Sequence, residues 1–131
     1  MLNKVILFFL IFIWCMPVQA KHLYSEAEYQ NYWCSKHGGI TEYRLKDMTR
    51  VDCLLPTQAV EFDFAKKWAE CIGQSLHYGL MTGKQSACCL ILERGEKDLK
   101  YLKRLRRIAY KKGVKTYTIT PKVFDSSYSA P

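Results

Sequence analysis

Two short runs of alternating carboxylate and apolar residues, Arg50-Val51-Asp52-Cys53-Leu54-Leu55 and Ala59-Val60-Glu61-Phe62-Asp63-Phe64, stand on either side of Pro56-Thr57-Gln58. Alternation with a period of two marks a strand, whose side chains point by turns to opposite faces. Arg50, Asp52 and Leu54 then share one face of the first strand, and Glu61 and Asp63 share one face of the second. Val60, Phe62 and Phe64 face the other way, toward a core. Neighbouring strands of this kind can bring three carboxylates together, and grouped carboxylates repel one another unless protons or a cation compensate. The stretch therefore predicts a strand pair built around a divalent metal site.

The remaining elements frame that pair. Ser25-Glu26-Ala27-Glu28 has the form of a capping box, and the run that follows to His37 reads as a helix stopped by Gly38-Gly39. Ile40 to Leu45 reads as a strand, so the three strands up to Phe64 are expected to form an antiparallel meander. From Ala65 to Leu80 the period becomes helical: Ala65, Trp68, Ala69, Ile72, Leu76 and Leu80 form an apolar stripe opposite Lys66, Lys67, Glu70, Gln74, His77 and Tyr78. Ala87 to Leu92 is a continuous apolar run, as in a strand covered on both faces. Lys97 to Lys112 is a helix with Leu99, Leu102, Leu105, Ile108 and Ala109 inward, and Val114 to Thr120 is a last strand. The expected class is α/β, an α-β-β-β-α-β-α-β sandwich with a mixed central sheet and helices on both sides.

Residues 1–20 are expected to be a cleaved signal peptide, with Lys4 followed by the apolar run Val5 to Met16 and small residues near Ala20. This implies an exported protein, periplasmic or secreted, with no membrane span after cleavage. Residues 21–121 then form one domain and 122–131 a loose tail. That mature chain carries 19 basic against 12 acidic residues, a net charge of +7, which favours a polyanionic partner. Five cysteines remain in it, an odd number, and Cys34 to Cys53 is the pair expected to form a disulfide between the first helix and the strand carrying Asp52. No cysteine pair has the spacing of a structural zinc site.

With Asp52 on the second strand, Glu61-Phe62-Asp63 on the third and Gln74 and Tyr78 on the helix directly after, the chain resembles the PD-(D/E)XK nuclease superfamily. The Gln-x-x-x-Tyr spacing is similar to the branch that includes RecB-type nucleases and Holliday junction resolvases. The resemblance implies a restriction endonuclease-like fold and hydrolysis of phosphodiester bonds in DNA with Mg²⁺ or Mn²⁺. It implies Asp52 and Glu61 as metal ligands, with Glu28 or Glu26 as the first-helix glutamate that many members carry. The chain departs from the family at Asp63, which stands where a lysine is usual. Lys66 or Lys67 is expected to supply that charge, with Lys66 preferred because it leads the row Lys66, Glu70, Gln74, Tyr78. Lys100, Lys103, Arg104 and Arg107 on the basic helix become candidate phosphate contacts.

Simpler roles exist for the same residues. Asp52 could be a buried carboxylate paired with Arg50, Asp63 a helix cap and Glu28 half of the capping box. Gln74 and Tyr78 could be the wet side of a helix, and the basic helix a solvated face. A nuclease-like fold that binds nucleic acid without cutting it is the rival reading, and an exported basic interaction protein is a third.

Overall fold

A computed structural model describes residues 21–125. Residues 1–20, where a signal peptide is expected, and residues 126–131 lie outside them. The elements are α1 (Glu26–Lys36), β1 (Ile40–Arg44), β2 (Arg50–Leu54), β3 (Gln58–Phe64), α2 (Trp68–Thr82), β4 (Gln85–Ile91), α3 (Glu96–Lys112) and β5 (Lys115–Ile119). They stand in the expected order and form an α/β sandwich around one five-stranded mixed sheet, with spatial order β1-β2-β3-β4-β5. β1, β2 and β3 pair antiparallel; β3, β4 and β5 pair parallel. Among the described residues no helix is long and apolar enough to cross a membrane.

One face of the sheet is covered by α1. Tyr29, Trp33 and Cys34 pack there on Val60, Phe62, Cys89 and Ile91. The other face is covered by α2 and α3, where Cys71, Ile72, Leu102, Leu105 and Ala109 meet Cys88 and Leu90. Strand β4 lies between the two layers, which is why its residues from Ala87 onward are all buried. At the start of α1 the capping box forms in full. Ser25 N–H donates to Glu28 Oε2 at 2.7 Å and Glu28 N–H to Ser25 Oγ at 3.3 Å, satisfying two of the helix's free donors.

Two disulfides staple helices to strands. Cys34–Cys53, the expected pair, joins α1 to β2 across a Cα separation of 5.7 Å. Gly39 runs directly over it, and a β-carbon there would collide with both sulfurs. The second bridge, Cys71–Cys88, joins α2 to β4. Its neighbour Cys89 points to the opposite face, buried, with no disulfide partner among the described residues.

The apolar stripe expected on α2 is displaced. The helix buries Cys71, Ile72, Ser75, Tyr78 and Gly79, while Leu80 is 82% exposed. Two tertiary constraints choose that face: the Cys71–Cys88 bridge and the contact between Gly79 and Ser86 of β4. A side chain at Gly79 would run into Ser86 Oγ, so Gly79→Ala is expected to destabilise the protein by about 1–3 kcal/mol, readable as a lower denaturation midpoint at unchanged m-value. Of the expected tail, only residues 122–125 are described, and they are packed. Pro121–Phe124 forms a short 3-10 turn, and Phe124 packs against Tyr24, Tyr29 and Tyr32. The chain is therefore tied down to about residue 125, because an aromatic anchor outweighs the polar composition around it.

Candidate functional site

The pairing of β2 with β3 stops early. Cys53 opposes Val60 and Leu54 opposes Ala59, but beyond Cys53 the two strands are no longer bridged by their backbones. Instead, Asp52 Oδ2 accepts a hydrogen bond from Phe62 N–H at 2.8 Å. A side-chain carboxylate thus replaces a ladder bond, and the sheet parts there into a cleft of about 420 Å³. Asp52, Glu61 and Asp63 all line it, together with Glu26 from α1, Glu42 and Arg50 from the first two strands, and Lys67, Glu70, Gln74 and Tyr78 from the α2 side.

Glu61 and Asp63 are 4% and 3% exposed. One oxygen of each, Glu61 Oε2 and Asp63 Oδ1, is buried without a hydrogen-bond partner. Leaving such an atom unpaired costs about 1–3 kcal/mol, and more if the group is charged. Burial pushes Glu61 well above the ordinary carboxylate range, and the negative charge of nearby Asp52 adds to the effect. Asp52 is also raised by burial, partly offset by the Phe62 N–H. Burial, reinforced by Glu26, pushes Asp63 up to about 7, with Lys67 acting in opposition. Glu26 itself is raised by burial. Asp52 and Glu61 are close enough for one proton to bridge them. The cluster is an acid site in which burial and mutual repulsion favour the protonated carboxyls.

Arg50 is not the counter-ion of Asp52. It pairs with Glu42 at 3.3 Å, so the Asp52 carboxylate is left for the cleft. Glu42 was not foreseen from sequence. It lies on β1 between the pairs Thr41↔Cys53 and Tyr43↔Val51, opposite Asp52, with φ 53°, a left-handed conformation that is strained for glutamate. Gln30 of α1 braces it, donating from Nε2 to Glu42 Oε1 at 3.0 Å and to the Asp52 carbonyl at 2.9 Å. Gln30 is 2% exposed, and an amide beside Tyr29 on the buried face of α1 was the one sequence signal of this brace.

The preference for Lys66 is reversed. Residues Ala65–Lys67 form a 3-10 turn before α2 begins at Trp68. Three residues per turn instead of 3.6 shift the phase of everything upstream. Lys67, not Lys66, leads the row, with Nζ 3.9 Å from both Asp63 Oδ1 and Glu70 Oε2. Gln74 and Tyr78 follow, Tyr78 Oη donating to Gln74 Oε1 at 3.4 Å, with burial pushing the phenol up to about 12. Lys66 opens onto a different cleft. Asp63 belongs to the buried part of β3 rather than capping α2, whose N-terminus receives no side-chain cap.

Glu28 is likewise displaced as a candidate ligand. Its carboxylate is occupied by Ser25 in the exposed capping box, whereas Glu26, two residues earlier on another side of the helix, lines the cleft. On α3, Lys100, Lys103, Arg104 and Arg107 are exposed and none lines the cleft. Lys100 and Arg104 lie over the Tyr101 ring, at 5.0 and 5.6 Å from its centroid.

Asp52, Glu61 and Asp63, with Glu26 alongside, fit a hard divalent cation, since all are oxygen donors and two present orphaned oxygens. As they stand, no three His, Cys, Asp or Glu side chains among the described residues converge into a ready-made metal centre. No protein-family profile matches the chain, and no curated protein or solved structure matches it.

Proposed function

We propose that the protein is an exported, Mg²⁺-dependent nuclease that hydrolyses phosphodiester bonds in DNA, on a restriction endonuclease-like sandwich. The observation that carries this reading is the pair of orphaned carboxylate oxygens, Glu61 Oε2 and Asp63 Oδ1, buried beside Asp52 in a cleft with a lysine at its rim. Neither oxygen has a hydrogen-bond partner, and Lys67 Nζ, 3.9 Å from Asp63 Oδ1, offsets only part of the cluster's charge, so an external cation is the natural partner. Asp52, Glu61 and Asp63 would hold Mg²⁺, which when bound polarises a phosphodiester oxygen and lowers the pKa of an attacking water.

The chain's own groups do the rest. Asp52 is fixed by Phe62 N–H and keeps its second oxygen for the cleft. Lys67, on a flexible stem beside Asp63, takes the place of the usual motif lysine and stabilises charge developing on the phosphate. Gln74 and Tyr78 offer neutral hydrogen-bonding groups further along the same wall. Gln30 and the Glu42–Arg50 pair hold the β1 side of the cleft in position. Two disulfides in a chain of this size suit the oxidising compartment that export would bring.

The test is cleavage of plasmid and linear DNA by the oxidised, folded protein with Mg²⁺ or Mn²⁺, against EDTA. Intact DNA with both metals sinks the reading; salt-sensitive DNA binding without cleavage would leave the non-cutting rival, which the acid at position 63 favours. Lys67→Ala is expected to lower the cleavage rate about a hundredfold with the melting temperature nearly unchanged, because its charge acts on the reacting phosphate and its ammonium is surface-exposed.

A further inference from the structure

A second cleft, about 570 Å³, lies on the other side of Lys67 at the C-terminal ends of β3 and β4. Its floor is apolar, with Phe64, Ala65 and Ile91, and His22 lies flat on Phe64 at a ring separation of 3.4 Å and an angle of 12°. Its rim is cationic, with Lys21, Lys66, Lys67 and Arg94.

The two acids of the second cleft are already spent. Glu93 accepts from Leu23 and Tyr24 N–H, from Tyr29 Oη at 2.8 Å and from His22 at 2.8 Å. Asp98 accepts from Arg94 N–H and from the Arg94 guanidinium. Lys21 and Lys66 make no hydrogen bond or ion pair among the described residues. The volume falls within the range of about 300–1,000 Å³ usual for small-ligand sites. An aromatic platform under unpaired cations fits a ligand with one flat apolar part and one anionic part, which is a nucleotide unit.

We propose that this cleft is a nucleotide subsite. It seats the base of one unpaired nucleotide on the His22–Phe64 platform and its phosphate on the unpaired Lys66. Because Lys67 also lines the carboxylate cleft, the nucleotide is the one next to the scissile phosphate, and the subsite sets the direction in which the strand leaves the site. The inference rests on the nuclease reading for that role. The recessed floor favours a nucleotide over a lipid bilayer, which meets protruding apolar groups.

The test uses metal-free oxidised protein, a fluorescent single-stranded oligonucleotide, inorganic phosphate, a nucleoside 5′-monophosphate, and phosphatidylglycerol vesicles. Lys66→Glu is expected to weaken oligonucleotide binding about tenfold and to lower the salt slope by about 0.7 to 1, while Lys112→Glu, an equal charge change at the exposed far end of α3, does so far less. The nucleotide should bind more tightly than phosphate alone. Equal losses from Lys66→Glu and Lys112→Glu, equal affinity for phosphate and nucleotide, or a Lys66-dependent affinity for vesicles without one for the oligonucleotide would each overturn the proposal. Mn²⁺ affinity, followed by paramagnetic resonance on the same variants, reports on the carboxylate cleft separately. Its absence with Lys66-dependent nucleotide binding intact would remove the nuclease reading and leave the subsite standing.

Discussion

Asp52→Asn is expected to leave a folded protein whose metal-dependent cleavage of DNA has fallen at least about a hundredfold. The asparagine carbonyl still accepts from Phe62 N–H, so the substitution spares the side-chain bond that joins β2 to β3 beyond Cys53. What it removes is one negative charge from the buried pair with Glu61, and with it the attraction for a divalent ion. Asp52→Ala mixes the two effects. It also strands the Phe62 N–H, costing about 1–3 kcal/mol of stability, so a loss of activity there would say less. The pair of variants separates charge from scaffold: melting temperature reports the second and cleavage the first. Wild-type cleavage by a well-folded Asp52→Asn protein would remove Asp52 from the chemistry.

Glu61→Gln and Asp63→Asn should raise the stability of the metal-free protein at pH 8, by on the order of 1–3 kcal/mol each, while abolishing the stabilisation that Mg²⁺ or Mn²⁺ gives the wild type. The sign follows from the folded-state shifts. Burial raises Asp63 from 3.8 to about 7 and raises Glu61 as well. A carboxyl raised on folding contributes stability fully present below its unfolded pKa and lost as pH climbs through the folded one. The metal-free wild type is therefore expected to melt higher near pH 4.5 than at pH 8, and the difference should shrink in both variants. Addition of the metal should raise the melting temperature more at pH 8 than at pH 5, where protons compete for the same oxygens. Thermal melts in EDTA and in metal, across pH, decide the matter. A wild type whose pH profile matches that of Glu61→Gln would show that the carboxylates carry no such strain.

The strand alternation from Val60 to Phe64 was legible because nothing interrupts it: β3 pairs with β4 along its whole length, so each residue's face follows from its parity. The buried run in β4 was legible for the same reason. On α2, Glu70, Gln74 and Tyr78 line the cleft as their spacing implied, but the buried stripe and the leading lysine were not legible, since a 3-10 turn of three residues resets the phase and a disulfide and a glycine contact choose the face. Those are tertiary facts, and Leu76 and Leu80 argued for the wrong stripe. Glu26 and Glu28 illustrate a local competition. Both lie in the first turn of α1, and the capping motif that makes Glu28 conspicuous is what takes it out of the cleft. Glu42 left no trace in the sequence, because a left-handed glutamate within a strand is imposed by its surroundings and not by its neighbours in the chain.

The order of strands across the sheet is the order in which they occur along the chain. Each new strand adds beside the one just before it, through hairpins for β1 to β3 and through the α2 and α3 crossovers for β4 and β5, and no strand waits for a later partner to be inserted between it and its neighbour. A chain that emerges from its amino end, through a narrow pore or during synthesis, can add β1 to β5 in sequence. In that order the gap between β2 and β3 can form before the lysine and glutamine wall of α2 is in place.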